Sequence, residues 1–413
     1  MADLAIFGGP KARPTPFPAR ALIGPEEKAA VDALFDKSIE TGIAFGYNGA
    51  PEQQYEKDFA AYCGGGFADA VNSGSNALFC ALGALDLDAF SEVIVPPITD
   101  PGGVMPVVMV GCVPVFADSD PRSYNTCAEA IAERITERTR AIVVAHIAGE
   151  AADMDPIMEL AAKHNLYVIE DCAQAHGTYY KGRLCGTIGH IASFSTMFGK
   201  HHCTGGQGGV VFTKDEKLHF EGRRFADRGK PFGVTGNKGN VRCSLNCNLS
   251  DLAATIGSVQ LTKLPGIVER RRAVGEGVKA AMANNPVVKV GYQLADSKSC
   301  YWFLRMTVYP ENMKCNKLDF CKALQAEGLP ITVSYRNIQC ESDWFVNQHV
   351  FGKSGFPWQC AEYKGPRNPV FDMHNAIFAC ETNFNIAMHE SYGEQEIQDI
   401  ITALNKVSEY YAK

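Results

Sequence analysis

LYVIEDCAQAHGTYYKGRLCG, residues 166–186, opens on an apolar run and then stops at two acids, Glu170 and Asp171. The run from Leu166 to Ile169 reads as a strand. Asp171 then falls at its C-terminal end, where open α/β sheets place their ligand sites. Strand alternation sends Glu170 and Asp171 to opposite faces. They are therefore not a paired-carboxylate site, and one of them faces a crevice.

The flanking sequence repeats the pattern. SEVIVPP (91–97), VPVFAD (113–118) and RAIVVAHIAG (140–149) are further short strands, and helical stretches such as DMDPIMELAAKH (153–164) separate them. Strands apolar on both faces and joined by helices form a parallel sheet covered on both sides. Pro25, followed by Glu26 and Glu27, starts a helix that reads to about Phe35. Residues 249–282 read as a long helix or a broken pair, with a kink expected at Pro265. Beyond them come a strand in YWFLRMTVY (301–309), a helix in KLDFCKALQAEG (317–328), a strand in ITVSY (331–335) and a last helix over 393–412. A chain of 413 residues exceeds one compact core. The expectation is an α/β large domain over 1–265 and a smaller α+β domain over 266–413.

Composition narrows the function. With 39 basic and 46 acidic side chains the net charge is -7, which argues against a nucleic-acid surface. The runs Arg223–Arg224 and Arg270–Arg272 read as solvated helix faces. The 15 cysteines lack a CxxC pair and suggest reduced thiols in a cytoplasmic protein. MADLAIFGGPKARPTPFP does not read as a signal peptide, and no apolar run approaches the ~20 residues that span a membrane.

Two more motifs carry chemistry. In NSGSNALFCALGAL (72–85), Gly74, Ser75 and Asn76 open a helix, offering free N–H groups and the positive end of its dipole to a phosphate. In SFSTMFGKHHCTGGQGGVVFT (193–213), Lys200, His201 and His202 stand between two strands, ahead of a glycine cluster. Taken singly, the first is also an ordinary N-cap and the second a hairpin turn. Together with Asp171 they meet the needs of pyridoxal 5'-phosphate: an anchor for its phosphate, an acid for its pyridine nitrogen and a lysine for its aldehyde. His201, His202 and Cys203 are adjacent and cannot easily all face one tetrahedral ion, so no metal site is expected.

With these motifs in order, the chain resembles the DegT/DnrJ/StrS aminotransferases, which have the aspartate aminotransferase fold (fold type I) and act on sugars or cyclitols. IEDCAQAHG, AVNSGSNAL, the PPIT segment, CVPVFADSDP, AHIAGEAADMDPI, SFSTMFGK and NCNLSDLAATIGSVQL carry the resemblance. It implies that Gly74, Ser75 and Asn76 hold the phosphate, that Asp171 pairs with the pyridine nitrogen, that Gln174 lies beside the ring and that Ser193 donates to the phosphate. It implies a homodimer in which Asn246 reaches the phosphate of the neighbouring subunit. It also places Tyr335, Arg336 and His389 near the substrate. His146, His176 and Arg228 are weaker candidates.

The chain departs from the pattern at three points. Asp100 replaces the aromatic ring expected on the cofactor face, and so joins the substrate-side candidates. Gln207 replaces an acid in the glycine cluster. Counting forward from SFS puts Lys200 at the Schiff-base position, whereas counting back from Gly208–Gly209 puts His201 there. The first count implies amino transfer from glutamate or glutamine to a keto sugar or keto cyclitol through Lys200. The second implies a sugar 3-dehydratase with His201 as base. A cofactor-binding regulator without turnover is the remaining alternative.

Overall fold

The computed structural model describes residues 3–413. In chain order its strands are β1 (Phe67–Val71), β2 (Glu92–Val95), β3 (Val113–Phe116), β4 (Thr139–Ala145), β5 (Tyr167–Asp171), β6 (Tyr179–Tyr180), β7 (Arg183–Leu184), β8 (Ile191–Ser195), β9 (Gly209–Thr213), β10 (Val288–Val290), β11 (Ser297–Lys298), β12 (Leu304–Val308), β13 (Ile331–Thr332) and β14 (Asn383–Ile386). Seven form one sheet in the order β1-β9-β8-β5-β4-β2-β3. The β2–β3, β2–β4, β4–β5 and β5–β8 pairs are parallel, and β9 is antiparallel to both its neighbours. Thus β1, β2, β4, β5 and β8 all end on the same edge of the sheet.

Alternation explains the burial. Val93, Val95, Val143 and Ile169 pack on one face with the helix Gly74–Ala84. Ile94, Ile142, Val144 and Val168 pack on the other with Phe59, Ile157 and Leu264. Both faces are covered, so the strands read as continuous apolar runs.

The helix expected to end near Phe35 continues to Thr41, where Gly42 caps it in the left-handed region. The segment 249–282 folds as one helix, Asp251–Met282, with Pro265 inside it and the Ser250 side chain capping its start. The expected division after residue 265 therefore runs through a continuous helix. Ala254, Leu261, Leu264 and Val268 of that helix pack with the large sheet, and Val274, Val278 and Met282 pack with the smaller one.

The smaller sheet has the order β10-β12-β14-β13. Two strands here are shorter than expected. β13 stops at Thr332, which frees Tyr335 to reach Gln174. β12 starts only at Leu304, because the N–H groups of Cys300 and Trp302 donate to the carbonyls of Gly149 and Ala148 in the large sheet's loops. Arg305 Nη2 meets Glu150 Oε2 at 2.7 Å, both buried, and this pair bridges the two sheets. Removing one partner of such a pair typically costs about 3–5 kcal/mol.

Candidate active site

Four chain segments converge where the parallel strands end. Residues 72–76 follow β1, Thr99 and Asp100 lie beyond β2, Asp171 closes β5, and Ser195 closes β8. Lys200 follows five residues later.

Ser73 caps the helix Gly74–Ala84, its Oγ accepting from the Asn76 N–H at 3.1 Å while its carbonyl takes that of Ala77. The N–H groups of Gly74 and Ser75 precede the first intrahelical bond and remain for an anion. The side chain of Asn76 turns back to Asn72, at 2.6 Å. A Cβ on Gly74 would stand 2.5 Å from Ser195 Cβ and 2.8 Å from its Oγ, so glycine is required for this approach. The hydroxyl at the helix opening is thus that of Ser195. Ser193 lies one pleat deeper, paired across the sheet with Asp171, and its buried Oγ has no partner. The two-residue shift follows from alternation, because Ser193 and Ser195 share a face and only the second reaches the strand end. The repeated serine in SFS was the available signal.

Glu170 and Asp171 do point oppositely. Glu170 is fully buried, bonded to His146 Nε2 at 3.0 Å and to the N–H groups of Gly186, Ile188 and Gly189. His146 Nδ1 accepts from the Ala152 N–H, so the imidazole's Nε2 carries the proton toward Glu170. Cys185 approaches this pair, but both ring nitrogens of His146 are already committed. His146 and Glu170 support the strand ends from behind. Asp171 faces the crevice, where its Oδ1 accepts from the Ala173 N–H at 3.0 Å. Burial raises its pKa, the Ala173 N–H and Lys200 oppose the rise, and Asp100 adds to it.

Lys200 and His201 part company. The Lys200 ammonium lies 4.6 Å from the centre of the Trp302 ring. Burial lowers its pKa, while the charges of Asp171 and Asp100 act in the opposite direction. His201 is fully buried, its Nε2 bonded to the Cys300 carbonyl at 3.1 Å and its ring against His176 and Trp302. Burial drives its pKa well down, and the neighbouring Arg271, His176 and Arg20 add to the fall. His201 thus packs beneath the loop, with its Nδ1 unpartnered. His202 packs likewise on Phe59 and bonds Tyr55 at 2.9 Å, and His176 completes the cluster.

The other expected residues divide. Gln174 Oε1 accepts from the Ala148 N–H and its Nε2 donates to the Tyr335 hydroxyl, both at 2.8 Å. Burial pushes the Tyr335 phenol up to about 12, with Asp100 and Asp171 adding to the rise, so Tyr335 belongs to the crevice. Asp100 is exposed and its Oδ1 caps Gly102 at 2.9 Å. A Cβ on Gly103 would lie 3.1 Å from Asp171 Oδ2, which shows how closely this turn walls the carboxylate. Arg336 points elsewhere, held by Glu341 at 2.9 Å on the surface. Arg228 binds Asp227 and Tyr47. Asn246 is exposed and its Oδ1 accepts from Asn248, with no bond to the crevice side chains within this chain. His389 bonds Ser391 at 2.7 Å. Its neighbour Glu390, not singled out in the sequence, is buried between Arg20 and Arg271. Trp302 was also missed, since nothing local marks an aromatic residue 102 positions away as the lysine's neighbour.

Comparison with known proteins agrees with this geometry. The sequence pattern of the DegT/DnrJ/EryC1/StrS aminotransferase family matches residues 25–357. GDP-perosamine synthase of Caulobacter vibrioides is 35% identical over 284 residues, 67% of this chain and 74% of that protein. The L-glutamine:2-deoxy-scyllo-inosose aminotransferase of Streptomyces fradiae is 36% identical over 66% of each chain. Among solved structures, an aminotransferase from Psychrobacter cryohalolentis superposes with a TM-score of 0.82 at 31% identity, covering 95% of this chain and 98% of that one. S. venezuelae DesV, solved with a ketimine intermediate, gives 0.80 at 25% identity over 97% and 99%. This chain belongs to the DegT/DnrJ/EryC1/StrS aminotransferase family, and its α/β architecture is that of the fold type I aminotransferases.

Proposed function

We propose that this aminotransferase moves an amino group from glutamate or glutamine to a keto sugar or keto cyclitol, with pyridoxal phosphate held by Lys200. The observation that carries the reading is the seating of the Lys200 ammonium on the Trp302 ring, in the loop that follows β8, while His201 bonds the Cys300 carbonyl. The relatives that act on GDP-perosamine precursors or on an inosose, as their names indicate, support the acceptor class.

The residues fit the cofactor. The Gly74 approach to Ser195 leaves a polar cradle at a helix N-terminus, Asp171 is an acid with a free oxygen at the strand end, and Lys200 is an amine of lowered pKa seated on Trp302. When bound, the cofactor supplies an electron sink. Gly74, Ser75 and Ser195 would take its phosphate, and Asp171 would keep a proton on the ring nitrogen. Lys200 Nζ would bind the aldehyde carbon and, once displaced, carry the proton removed from the donor's α-carbon. Gln174 and Tyr335 brace the crevice wall through their mutual bond.

The His201-base dehydratase would have to use His201 Nδ1, since Nε2 is bonded to the Cys300 carbonyl and the ring is buried against His176 and Trp302. We further propose a homodimer in which the exposed Asn246 faces a neighbouring subunit, and a cytoplasmic setting consistent with 15 unpaired cysteines among the described residues. Among these residues no helix is long and apolar enough to cross a membrane.

The test is borohydride reduction of the protein loaded with pyridoxal phosphate, followed by peptide mapping, and then assay of keto sugars and keto cyclitols with each donor. Cofactor fixed to Lys200 is the expected result. Cofactor bound without a Lys200 adduct would reject the assignment.

A further inference from the structure

The loop that carries Lys200 is gripped from outside by a residue 180 positions earlier in the sequence. Arg20, ahead of the helix Pro25–Thr41, donates from Nη1 to the Gly199 carbonyl at 2.8 Å and from Nη2 to the Lys200 carbonyl at 2.7 Å. Its Nε donates to Glu390 Oε1 at 2.8 Å. The other oxygen of Glu390 accepts from Arg271 Nε at 2.9 Å. Arg271 Nη1 then donates to the carbonyls of Tyr301 and Trp302, at 3.0 and 3.2 Å. Trp302 is the residue whose ring faces the Lys200 ammonium. One carboxylate therefore connects the backbone of the lysine to the backbone of the tryptophan beneath its amine.

We propose that Arg20, Glu390 and Arg271 form a clamp of positioning residues that fixes the Lys200 amine over Trp302 and toward Asp171. The proposal rests on the reading of Lys200 as the cofactor-bearing lysine.

The chemistry is specific. Arg271 is 2% exposed and Glu390 6%, so the pair is shielded from water. Burial works against the Glu390 charge, yet Arg271 and Arg20 hold its pKa below the usual carboxylate range. Arg270 adds a bond to the Glu390 backbone carbonyl, and His389 flanks the carboxylate in sequence. Arg20 serves four acceptors, Glu390 and the carbonyls of Gly199, Lys200 and His201, which suits a planar guanidinium and not a single ammonium. On the N-terminal side of Lys200, Phe198 is exposed and Gly199 brings no side chain, so Arg20 holds the part of the loop that the buried His201 and His202 do not. A lysine that must be displaced and must return needs a backbone that does not move with it, and small misplacements near reacting atoms are costly.

The experiment compares wild type with Arg20→Lys, Arg20→Ala and Glu390→Gln. Four readouts are taken: borohydride mapping of the loaded protein, kcat and donor KM, folding by thermal melt, and the pH midpoint for reductive methylation of Lys200 in cofactor-free protein followed by mass spectrometry. The clamp predicts folded variants whose kcat falls about 10- to 100-fold with donor KM changed far less. It also predicts a methylation midpoint moved up toward that of an ordinary lysine. Arg20→Lys is expected to rescue the melt of Arg20→Ala but not the midpoint. Folded variants that keep wild-type kcat and midpoint, with the wild-type adduct on Lys200, would overturn the clamp alone. Absence of a Lys200 adduct in wild type would overturn both the Lys200 reading and the clamp. Failure of all three variants to fold would assign these residues a purely structural role and would also overturn it.

Discussion

The Lys200 ammonium rests 4.6 Å from the centre of the Trp302 indole, and the carbonyl groups of both residues are tied through Arg20, Glu390 and Arg271. A ring face attracts a cation, by about 0.5–2 kcal/mol depending on exposure. It also removes water from one side of the amine, and that burial lowers the Lys200 pKa.

Replacing Trp302 by Leu keeps an apolar seat and removes the ring. Burial is the largest influence on the amine, so the access of water outweighs the lost attraction of the ring and the pKa is expected to rise toward the ordinary value. Because the neutral amine is the reactive form, the acid limb of the pH–kcat/KM profile should move to higher pH, with kcat reduced about tenfold. An unmoved limb would show that the ring does not govern the amine.

Ser195 and Ser193 give a paired comparison. Ser195→Ala should weaken pyridoxal phosphate binding about 10- to 100-fold, the loss expected of one hydrogen bond to a charged group. Ser193→Ala removes a buried hydroxyl that has no partner and should leave the dissociation constant within about threefold. Equilibrium dialysis against the free cofactor distinguishes them, and the reverse order would restore Ser193 as the phosphate ligand.

Asp100 acts on both site groups, raising the pKa of Lys200 and that of Asp171. Asp100→Asn retains an oxygen for the Gly102 N–H and removes the charge. Loss of a nearby anion disfavours the ammonium and favours the remaining carboxylate, so both pKa values should fall. The acid limb of the pH–rate profile should therefore shift to lower pH, opposite to Trp302→Leu. Asp100→Phe should tighten cofactor binding by stacking, read in the same dialysis assay. A weaker or unchanged affinity would mean that residue 100 does not cover the ring.

Away from the site, burial pushes Asp69 up to about 8 and Glu52 and Glu56 up to about 7. Arg223 is 3.6 Å from Glu56, and Asp69 Oδ2 has no partner. Carboxyl groups whose folded pKa is raised keep their protons in the native state after the unfolded chain has lost them. Their cost is absent at about pH 4 and grows as pH climbs to about 8, so stability declines over that window. Asp69→Asn should melt about 2 °C or more above wild type near pH 8 and close to it near pH 4. Equal melting temperatures at both values would show that Asp69 is not strained by burial.

Much of the architecture was legible without coordinates. Alternation in VIED set Glu170 and Asp171 on opposite faces, because a strand has a period of two whatever surrounds it. Apolar runs separated by helical stretches identified the covered parallel sheet, and the polar opening of NSGSNAL identified a helix start that Ser73 indeed caps. These are local properties, fixed by backbone geometry over a few residues.

The tertiary structure decided the rest. The sequence left Lys200 and His201 as rivals because a glycine-containing loop has no period from which to read facing, and one residue of slippage exchanges them. Packing against Cys300, His176 and Trp302 separates them. The serine at the helix opening needed the contact with Gly74. The clamp had no sequence signal at all: Arg20 and Glu390 are 370 positions apart, and Glu390 and Arg271 are 119 apart. Contacts at such separations arise from how sheets and helices pack as layers, and no local pattern of residues encodes which side chains that packing will bring together.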